Sequence, residues 1–250
     1  MNILFTVCGR AGSKGFKNKN LKKLKGIPLV YYTLSVIRLY MEKHPENEVK
    51  VALNTDSVDL QDIVRDQNIV PNVIMAERRE DLAGDVAAKV AVIQDTYFQC
   101  KAENHFDVIV DLDITSPMRR LCDVEAAIEN LLSDVNCDLV YSVVPARRSP
   151  YFNMVEQKDG YYKKICQSSY TARQQAPKTY ELNASIYAYS PAFLESPIDK
   201  TILDYNCGIM VMPDYLVLDI DSEEDFEMME MLFGHFAKLD KGLQELVDNL

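Results

Sequence analysis

Short apolar runs alternate with amphipathic segments along the first part of the chain. NILFTVC at 2–8, VKVALNT at 49–55 and DVIVDLD at 107–113 are near-continuous apolar runs, as expected of strands covered on both faces. Between them, PLVYYTLSVIRLYMEK at 28–43 and CDVEAAIENLLSD at 122–134 carry apolar residues at helical spacing. This alternation predicts right-handed βαβ units and a mostly parallel sheet, hence an α/β fold. Further helices are predicted at 57–67 and 86–100, and further strands at 73–75 and 138–144.

The alternation stops after Val144. Residues 145–182 are rich in Arg, Tyr, Ser, Gln and Pro and contain an Asp-Gly pair at 159–160, a pattern that indicates hairpins and loops. Regular structure is predicted to resume with SIYAYS at 185–190, GIMVMP at 208–213 and LVLDID at 216–221, followed by a helix from about Ser222. We therefore predict one domain over residues 1–250, with 145–182 as an insertion.

Composition narrows the possible partners. Hydrophobic residues make up 48% of the 250, which is enough for a core and too many for a disordered chain. The net charge of −11 argues against general binding to nucleic acid or to a membrane surface. The apolar run at 2–8 is too short for a signal peptide, and no stretch has the length of a membrane span. We expect a cytoplasmic protein.

A basic, glycine-rich loop follows the first strand directly. GRAGSKGFKNKN at 9–20 holds three glycines, one arginine and three lysines, and no acid occurs among the first 25 residues. Glycines let backbone N–H groups approach phosphate oxygens, and Arg and Lys add charge-assisted hydrogen bonds. Ligands of such sheets bind beyond the carboxyl ends of the strands, where this loop lies. The pattern predicts a phosphate-binding loop without a Walker A motif; the alternative is an ordinary turn with solvated lysines.

Two aspartates are the candidate metal ligands. Asp219 and Asp221 are two residues apart in a predicted strand, which would turn both carboxylates to one side. Such a pair suits Mg²⁺ together with phosphate oxygens. The alternative is a pair of acids placed near a helix N-terminus, where negative charge is favourable. With the basic loop, the pair indicates phosphoryl or nucleotidyl transfer assisted by a metal.

Six segments occur in a fixed order along nearly the whole chain: GRAGSKGFKNKNL, LNTDS, DLAGD, DITSPMR, RQQAPKTYELNASIY and DIDSEEDF. Together they resemble the motifs of the acylneuraminate cytidylyltransferases (CMP-sialic acid synthetases) and of relatives acting on other nonulosonic acids. The resemblance implies a Rossmann-like nucleotidyltransferase fold and a homodimer whose insertion reaches the partner's active site. It implies Mg²⁺-dependent transfer of CMP from CTP to the anomeric hydroxyl of a 2-keto-3-deoxy sugar acid, with release of pyrophosphate.

Other functions remain open from the sequence. An enzyme of the same fold would differ in its sugar acid or its nucleoside triphosphate. A sugar-nucleotide-binding protein without catalysis is disfavoured by the intact basic and acidic residues, and a generic P-loop NTPase is disfavoured because the Walker A sequence is missing.

The resemblance also implies roles for individual residues. It assigns catalysis to Arg10, Lys14, Lys19, Asp219 and Asp221, the last two as metal ligands. It assigns nucleotide binding to Arg10, Gly12, Ser13, Lys14, Asn20 and Arg78, with Arg79 one register away. It assigns sugar binding to Asp113, Thr115, Ser116, Arg173, Gln174 and Tyr187.

Two positions depart from the family's pattern. Asp113 stands where the family often has glutamine, and Gln175 stands where it has an acid. We expect Asp113 to set sugar preference, because a carboxylate only accepts hydrogen bonds whereas an amide also donates them. The alternatives are that Asp113 pairs with a nearby arginine or is a third metal ligand.

Overall fold

The structure is a computed structural model that describes residues 1–12, 15–84 and 87–250. The strands are β1 (Asn2–Cys8), β2 (Lys23–Leu24), β3 (Ile27–Pro28), β4 (Glu48–Thr55), β5 (Ile74–Glu77), β6 (Val108–Leu112), β7 (Leu139–Pro145), β8 (Val155–Lys158), β9 (Tyr161–Lys164), β10 (Tyr180–Tyr189) and β11 (Cys207–Val211). The α-helices are α1 (Leu29–Lys43), α2 (Val58–Arg65), α3 (Lys89–Lys101), α4 (Leu121–Ser133), α5 (Pro191–Glu195), α6 (Glu223–Phe236) and α7 (Lys241–Asp248).

Seven of the described strands form the central sheet, in the order β11-β7-β10-β6-β1-β4-β5. β1 pairs in parallel with both β4 and β6, and β4–β5 and β7–β11 are also parallel. β10 alone runs antiparallel, to β6 on one side and β7 on the other. The predicted α/β fold with a mostly parallel sheet is confirmed.

Helices cover the sheet on both faces, as the unbroken apolar strands predicted. Ile3 and Phe5 of β1 are fully buried in a cluster that includes residues of α1, α4, α6 and α7. Leu4, between them, points to the opposite face and packs with residues of α3 and α5. Because successive side chains of a strand point to opposite faces, β1 has no position for a polar residue except at its ends and at the buried Thr6.

The predicted insertion separates two neighbouring strands of the sheet. β7 ends at Pro145, which pairs with Tyr180 at the start of β10, so the last residues assigned to the insertion belong to the sheet. Within the insertion, β8 and β9 form an antiparallel hairpin. Its turn is the predicted Asp-Gly pair, with positive φ at Asp159 (54°) and Gly160 (79°), the geometry that two-residue hairpin loops favour.

β10 changes register beside the carboxyl edge of the sheet. The shift falls between Leu182 and Tyr187, and Ala184 has a left-handed backbone with φ of 52°. Asn183, in the irregular stretch, is buried; its amide accepts from Ser142 Oγ at 2.6 Å and donates to the Leu216 carbonyl at 3.1 Å. Bulges of this kind redirect side chains and occur often next to active sites.

The prediction of a strand at LVLDID was wrong. A 3₁₀ turn covers Asp214–Leu216, and residues 217–221 form no ladder with a neighbouring strand. Ile220 is fully buried and its N–H donates to the Thr115 carbonyl at 3.1 Å. The alternation of apolar and polar residues therefore reflects the burial of Leu216 and Ile220 in a segment outside the sheet, with Asp219 and Asp221 on either side of Ile220.

Candidate active site

A cavity of about 580 Å³ opens at the carboxyl ends of β1 and β6. Its walls come from the basic loop, the segment before α3, the loop after β6 and the segment before α6. The lining residues are Cys8, Gly9, Arg10, Gly15, Phe16, Lys19, Asn20, Arg78, Leu82, Gly84, Ala87, Lys89, Val92, Asp113, Thr115, Asp219 and Asp221. Cations and carboxylates thus face each other across one cavity at the edge where ligands of α/β sheets bind.

The first turn of the basic loop is tied to the end of β4 and to the end of the loop. Gly9 N–H donates to the Asn54 carbonyl at 3.2 Å, and Ala11 N–H donates to Asp56 Oδ1 at 2.7 Å. Asn20, which is buried, donates from Nδ2 to the Arg10 carbonyl at 3.1 Å. These bonds position the backbone around Arg10 without using the Arg10 side chain.

Lys19 joins the basic loop to the acidic segment. Its Nζ donates to the Ile220 carbonyl at 2.9 Å and to Asp221 Oδ1 at 2.8 Å. Asp221 is 77% exposed at its side chain and Lys19 only 20%, so the ammonium is held more firmly than the carboxylate. The positive charge of Lys19 beside the two aspartates therefore partly offsets the repulsion between their carboxylates.

Gly15 lies where the basic loop passes the acidic segment. A Cβ built on Gly15 would stand 2.9 Å from the Asp221 carbonyl oxygen, which is closer than real Cβ contacts allow. The neighbour is backbone, and Lys19 holds the same segment through the Ile220 carbonyl and the Asp221 side chain, so the carbonyl has little freedom to move. A residue without a side chain is required for the loop and the acidic segment to approach this closely.

We expect Gly15→Ala to separate the loop from Asp221 and to lower turnover about tenfold or more, because small displacements of positioning groups are costly in catalysis. The matched control is Gly84→Ala, since Gly84 also lines the cavity but no described residue beyond its chain neighbours lies within 4 Å of a Cβ built on it. Steady-state rates and thermal melting of both variants measure the effect. Equal activity of the two variants would contradict the close-approach argument.

Asp219 is the more enclosed of the two aspartates. Its Oδ1 accepts from Ser116 Oγ at 3.2 Å and from the Ile220 N–H at 2.9 Å. Burial, and after it the negative charge of Asp113, raises the pKa of Asp219 above its usual value. Burial and the Asp113 charge therefore both disfavour the ionised carboxylate, and a bound cation would offset them.

The donor set fits a magnesium ion that shares its coordination with a ligand. Asp219 and Asp221 offer hard oxygen donors, and Mg²⁺ is often held by one or two carboxylates together with phosphate oxygens and water. In the part of the chain that the structure describes, no group of three or more His, Cys, Asp or Glu side chains is arranged to hold a metal. The two carboxylates would thus need the nucleotide to complete the site.

Asp113 is paired with a lysine rather than with an arginine. Lys89 Nζ lies 2.6 Å from Asp113 Oδ2 and 2.8 Å from Oδ2 of Asp111, which is fully buried. Burial works against ionisation of the pair, but Lys89 outweighs it and holds the pKa of Asp113 well below its usual value. Likewise, burial opposes the charge of Lys89, and the two carboxylates outweigh it and raise the pKa of Lys89. Asp113 is therefore a carboxylate, and Lys89 an ammonium, at neutral pH.

The loop after β6 is held from below by Arg119. This residue is fully buried, and its guanidinium donates to the Ser116 carbonyl, at 2.6 Å from Nη2, and to the Asp113 carbonyl. Burial lowers the pKa of Arg119 to about 10, which still leaves it charged at neutral pH. Arg119 thus fixes the backbone that carries Asp113, Thr115 and Ser116.

We expect Arg119→Met to destabilise the protein by about 3 kcal/mol, because two carbonyls lose their charged donor and the nearby aspartates lose one of their positive neighbours. Urea unfolding of the variant measures the loss. Arg65→Met is the control, since Arg65 is half exposed and its hydrogen bonds in the described structure go to Asp62 and Gln61 of its own helix. We expect a change within about 0.5 kcal/mol for it. A loss of similar size in the two variants would contradict the role of Arg119.

The structure brings most of the predicted site residues together. Arg10, Lys19, Asn20, Arg78, Asp113, Thr115, Asp219 and Asp221 line the cavity, and Ser116 bonds to Asp219. Arg79 instead pairs with Asp81 at 2.7 Å, so the geometry favours Arg78 over its neighbour. Gly12 has a left-handed backbone with φ of 70°. Ser13 and Lys14 lie outside the described residues.

Besides Ser116, three predicted sugar-binding residues do not line the cavity. Arg173 and Gln174 are exposed and border a separate depression of about 500 Å³. Tyr187 is buried, and its ring centre lies 5.4 Å from Lys89 Nζ. Tyr187 therefore supports the wall formed by Lys89, whereas the arginine and glutamine belong to another surface of the same chain.

Sequence reasoning missed Lys89 and the contact of Asp56 with the loop. Lys89 is the first residue of α3, whose first turn contains no acid, although cations are unfavourable at a helix N-terminus. An uncompensated lysine at that position was a signal that a carboxylate partner exists elsewhere in the fold. Asp56 gave a weaker signal, because acids in a turn before a helix are common.

The comparison with known families decides the class of protein. Residues 4–235 match the sequence profile of the family described as "Cytidylyltransferase". The chain belongs to the cytidylyltransferase family. This cytidylyltransferase is 34% identical over 236 residues to "Post-translational flagellin modification protein B" of Campylobacter coli, covering 92% of this chain and 94% of the relative.

Two further comparisons agree. The cytidylyltransferase is 34% identical over 236 residues to the CMP-N,N'-diacetyllegionaminic acid synthase of Campylobacter jejuni, covering 93% of this chain and 95% of the relative. Its fold resembles that of a CMP:2-keto-3-deoxy-manno-octonic acid synthetase solved with CTP, at a TM-score of 0.69 and 14% identity, covering 94% of this chain and all of the other. The expected family and Rossmann-like nucleotidyltransferase fold are confirmed.

Proposed function

We propose that this cytidylyltransferase transfers CMP from CTP to the anomeric hydroxyl of a nonulosonic acid, a sialic-type 2-keto-3-deoxy sugar acid, and releases pyrophosphate. The observation that carries the proposal is the single cavity in which the basic loop faces Asp219 and Asp221. The names of two relatives support the sugar class: the CMP-N,N'-diacetyllegionaminic acid synthase, and an N-acylneuraminate cytidylyltransferase of Streptococcus agalactiae that is 23% identical over 244 residues, covering 96% of this chain and 56% of the relative.

The residues of the cavity fit an in-line displacement at the α-phosphorus of CTP. Negative charge builds on the phosphate oxygens, and preorganised cations and backbone N–H groups stabilise it. We assign this role to Arg10 and Lys19, with Lys14 and Ser13 from the family resemblance. Asn20 and Arg78 also line the cavity, and we assign them to contact with the base, as the family resemblance implies. The reaction then depends on positioning and charge and requires no covalent nucleophile.

We propose that Asp219 and Asp221 hold Mg²⁺ together with the phosphates of CTP. A bound Mg²⁺ would neutralise phosphate charge and orient the α-phosphate. The raised pKa of Asp219 supports this assignment, since a carboxyl whose ionised form is disfavoured gains most from a cation.

We also propose a homodimer in which the insertion of one subunit completes the site of the other. The hairpin of the insertion exposes Val155, Tyr161 and Tyr162, whose exposed fractions are 59%, 73% and 72%. Such an apolar surface suits a subunit interface. Arg173 and Gln174 lie on the insertion away from the cavity of their own chain, so each would reach sugar in the partner's site.

We take the enzyme to be cytoplasmic, the compartment that supplies CTP. Among the described residues, no helix combines the length and the apolar character that a membrane crossing needs.

Pyrophosphate release measures the proposed activity directly. The protein is incubated with each of the four nucleoside triphosphates and a panel of 2-keto-3-deoxy sugar acids, with and without Mg²⁺. We expect release only with CTP, Mg²⁺ and an acid of the nonulosonic class. Preference for another triphosphate, or for an eight-carbon acid over every nine-carbon acid, would overturn the assignment of substrate.

A further inference from the structure

Lys89 and Asp113 form a donor and an acceptor side by side on one wall of the cavity. Their Nζ and Oδ2 atoms are 2.6 Å apart, and both residues line the cavity. The Lys89 side chain is 34% exposed and that of Asp113 is 18% exposed, so a ligand in the cavity reaches both. Neither residue contributes to the basic loop or to the proposed metal pair.

Each of the two groups retains hydrogen-bonding capacity. An ammonium has three donors, and among the described residues Lys89 donates one hydrogen bond, to Asp113, and forms an ion pair with Asp111 at 2.8 Å. Asp113 Oδ1 accepts from Thr115 N–H at 3.0 Å and from Thr115 Oγ1 at 2.8 Å, whereas Oδ2 meets only Lys89 in the described part of the chain. One N–H donor and one lone pair of Oδ2 therefore remain for a ligand.

The pair is held firmly enough to discriminate between ligands. Asp111, beneath Lys89, is fully buried and accepts from Thr6 Oγ1 at 2.9 Å. Arg119 fixes the backbone of Asp113 through its carbonyl, and the Tyr187 ring packs near Lys89. A site built from such fixed polar groups rejects a ligand that leaves them unpaired, because the unpaired groups stay desolvated.

The charges of this cluster favour a neutral ligand group over an anion. The Lys89 ammonium lies between the carboxyl groups of Asp111 and Asp113, so the cation on this wall is already paired with two acidic side chains. A carboxylate would meet no excess of positive charge here. A hydroxyl both accepts and donates, and one hydroxyl bridges a donor and an acceptor that stand 2.6 Å apart.

We propose that Lys89 is a sugar-binding residue that, with Asp113, forms a bidentate site for a hydroxyl group of the acceptor sugar. Lys89 donates a hydrogen bond to the hydroxyl oxygen, and Asp113 Oδ2 accepts a hydrogen bond from the hydroxyl group. The pair thereby selects acceptors that carry a hydroxyl at the position facing this wall. The inference rests on the proposed function, because it deepens the sugar side of the same site.

The test compares the best acceptor with its single-deoxy analogues at saturating CTP. In the parent protein, we expect one deoxy analogue to lose about tenfold or more in kcat/KM. In Lys89→Met, we expect the full acceptor to lose a similar factor, mainly through sugar KM, and the discrimination against that analogue to shrink to within about twofold. CTP affinity measured by calorimetry is expected to stay within about threefold of the parent.

Lys50→Met is the matched control, because Lys50 also pairs with a carboxylate, Glu48 at 3.3 Å, but lies away from the cavity. It should keep the parent's sugar preference. Loss of Lys89 leaves the buried Asp111 without its cation, so Lys89→Met is paired with Asp113→Asn, which keeps the size of the side chain and leaves Lys89 in place. If Lys89→Met does not fold, Asp113→Asn must still lose discrimination against the same deoxy analogue.

The outcomes separate this inference from the proposed function. A parent protein that releases no pyrophosphate with CTP and any nonulosonic acid overturns the proposed function itself. An active parent whose Lys89→Met or Asp113→Asn variant keeps the same deoxy discrimination overturns the hydroxyl site alone. A loss in Lys89→Met that appears equally for every sugar and in CTP affinity would assign Lys89 to the general stability of the cavity and would also overturn the proposal.

Discussion

Asp219→Asn is expected to lower turnover by about 10²-fold or more, because it removes a negative charge that holds the proposed Mg²⁺. Without that cation, the negative charge on the transferring phosphate is less stabilised. Asparagine keeps the size of the side chain and the acceptor that bonds to Ser116 and to the Ile220 N–H. We expect a loss of similar size for Asp221→Asn. Turnover is measured over a range of Mg²⁺ concentrations at saturating CTP and sugar.

Glu223→Gln is the control for Asp219→Asn, since Glu223 is an exposed acid in the first turn of α6 and close in sequence. It should retain nearly full turnover. An Asp219→Asn protein with near-normal turnover and unchanged Mg²⁺ dependence would show that the metal assignment is wrong.

Asp219→Asn is also expected to stabilise the ligand-free protein at neutral pH. The pKa of Asp219 is raised in the folded state, by burial and then by Asp113, so the unfolded chain releases this proton at lower pH than the folded chain does. As the pH rises from the ordinary aspartate pKa through the raised one, Asp219 therefore reduces the stability of the folded state. Asp219→Asn removes that loss, so its melting temperature should exceed the parent's at pH 7 and approach it at acidic pH. A lower melting temperature at pH 7 would contradict this.

Mixing Arg173→Ala with Asp219→Asn is expected to restore activity that neither variant has alone. In a shared site, the heterodimer combines the intact aspartates of one subunit with the intact Arg173 of the other. Random exchange at equal amounts makes half of the dimers mixed, and each mixed dimer has one working site, so about a quarter of the parent's activity should return. The geometric basis is that Arg173 donates to the Ala146 carbonyl at 2.8 Å and lines a surface separate from the cavity of its own chain.

A mixture of Asp219→Asn with Asp221→Asn is the control, because both substitutions lie in the same subunit's part of the site and no arrangement restores it. Subunit exchange is verified by mass spectrometry of differently tagged chains. Exchange without recovery in the Arg173 mixture would place the action of Arg173 in its own subunit or outside the reaction.

Much of the fold followed from local patterns. The runs at 2–8, 49–55 and 107–113 became β1, β4 and β6, because apolar residues on both faces suit only covered strands. The run at 216–221 shows the limit of the same rule. It alternates as a strand does and buries Leu216 and Ile220, yet it pairs with no described strand, and the Ile220 N–H donates to the carbonyl of Thr115 in a loop. Periodicity reports burial and does not reveal whether a hydrogen-bonding neighbour exists.

Candidate site residues could be predicted where several charged residues lie close together in the sequence. Contacts between residues far apart in the sequence could not be predicted. The basic loop and the Asp219–Asp221 pair were visible as unusual composition. The pairing of Asp113 with Lys89 was not, since the two residues lie 24 positions apart, whereas Arg119 lies only six positions from Asp113. The Arg119 guanidinium instead donates its hydrogen bonds to backbone carbonyls. Counter-ion choice depends on three-dimensional packing, which no spacing rule provides.

Lys19 bonds to the Ile220 carbonyl and to Asp221, which lie 201 and 202 positions further along the chain, and these bonds close the cavity. Every strand of the central sheet has been synthesised by Val211, before either aspartate of the acidic segment. During translation, a chain can therefore contain the complete sheet while its cavity still lacks one wall. Products of premature termination ahead of Asp219 would carry the basic loop but would lack both the acidic segment and the helices α6 and α7 that cover one face of the sheet.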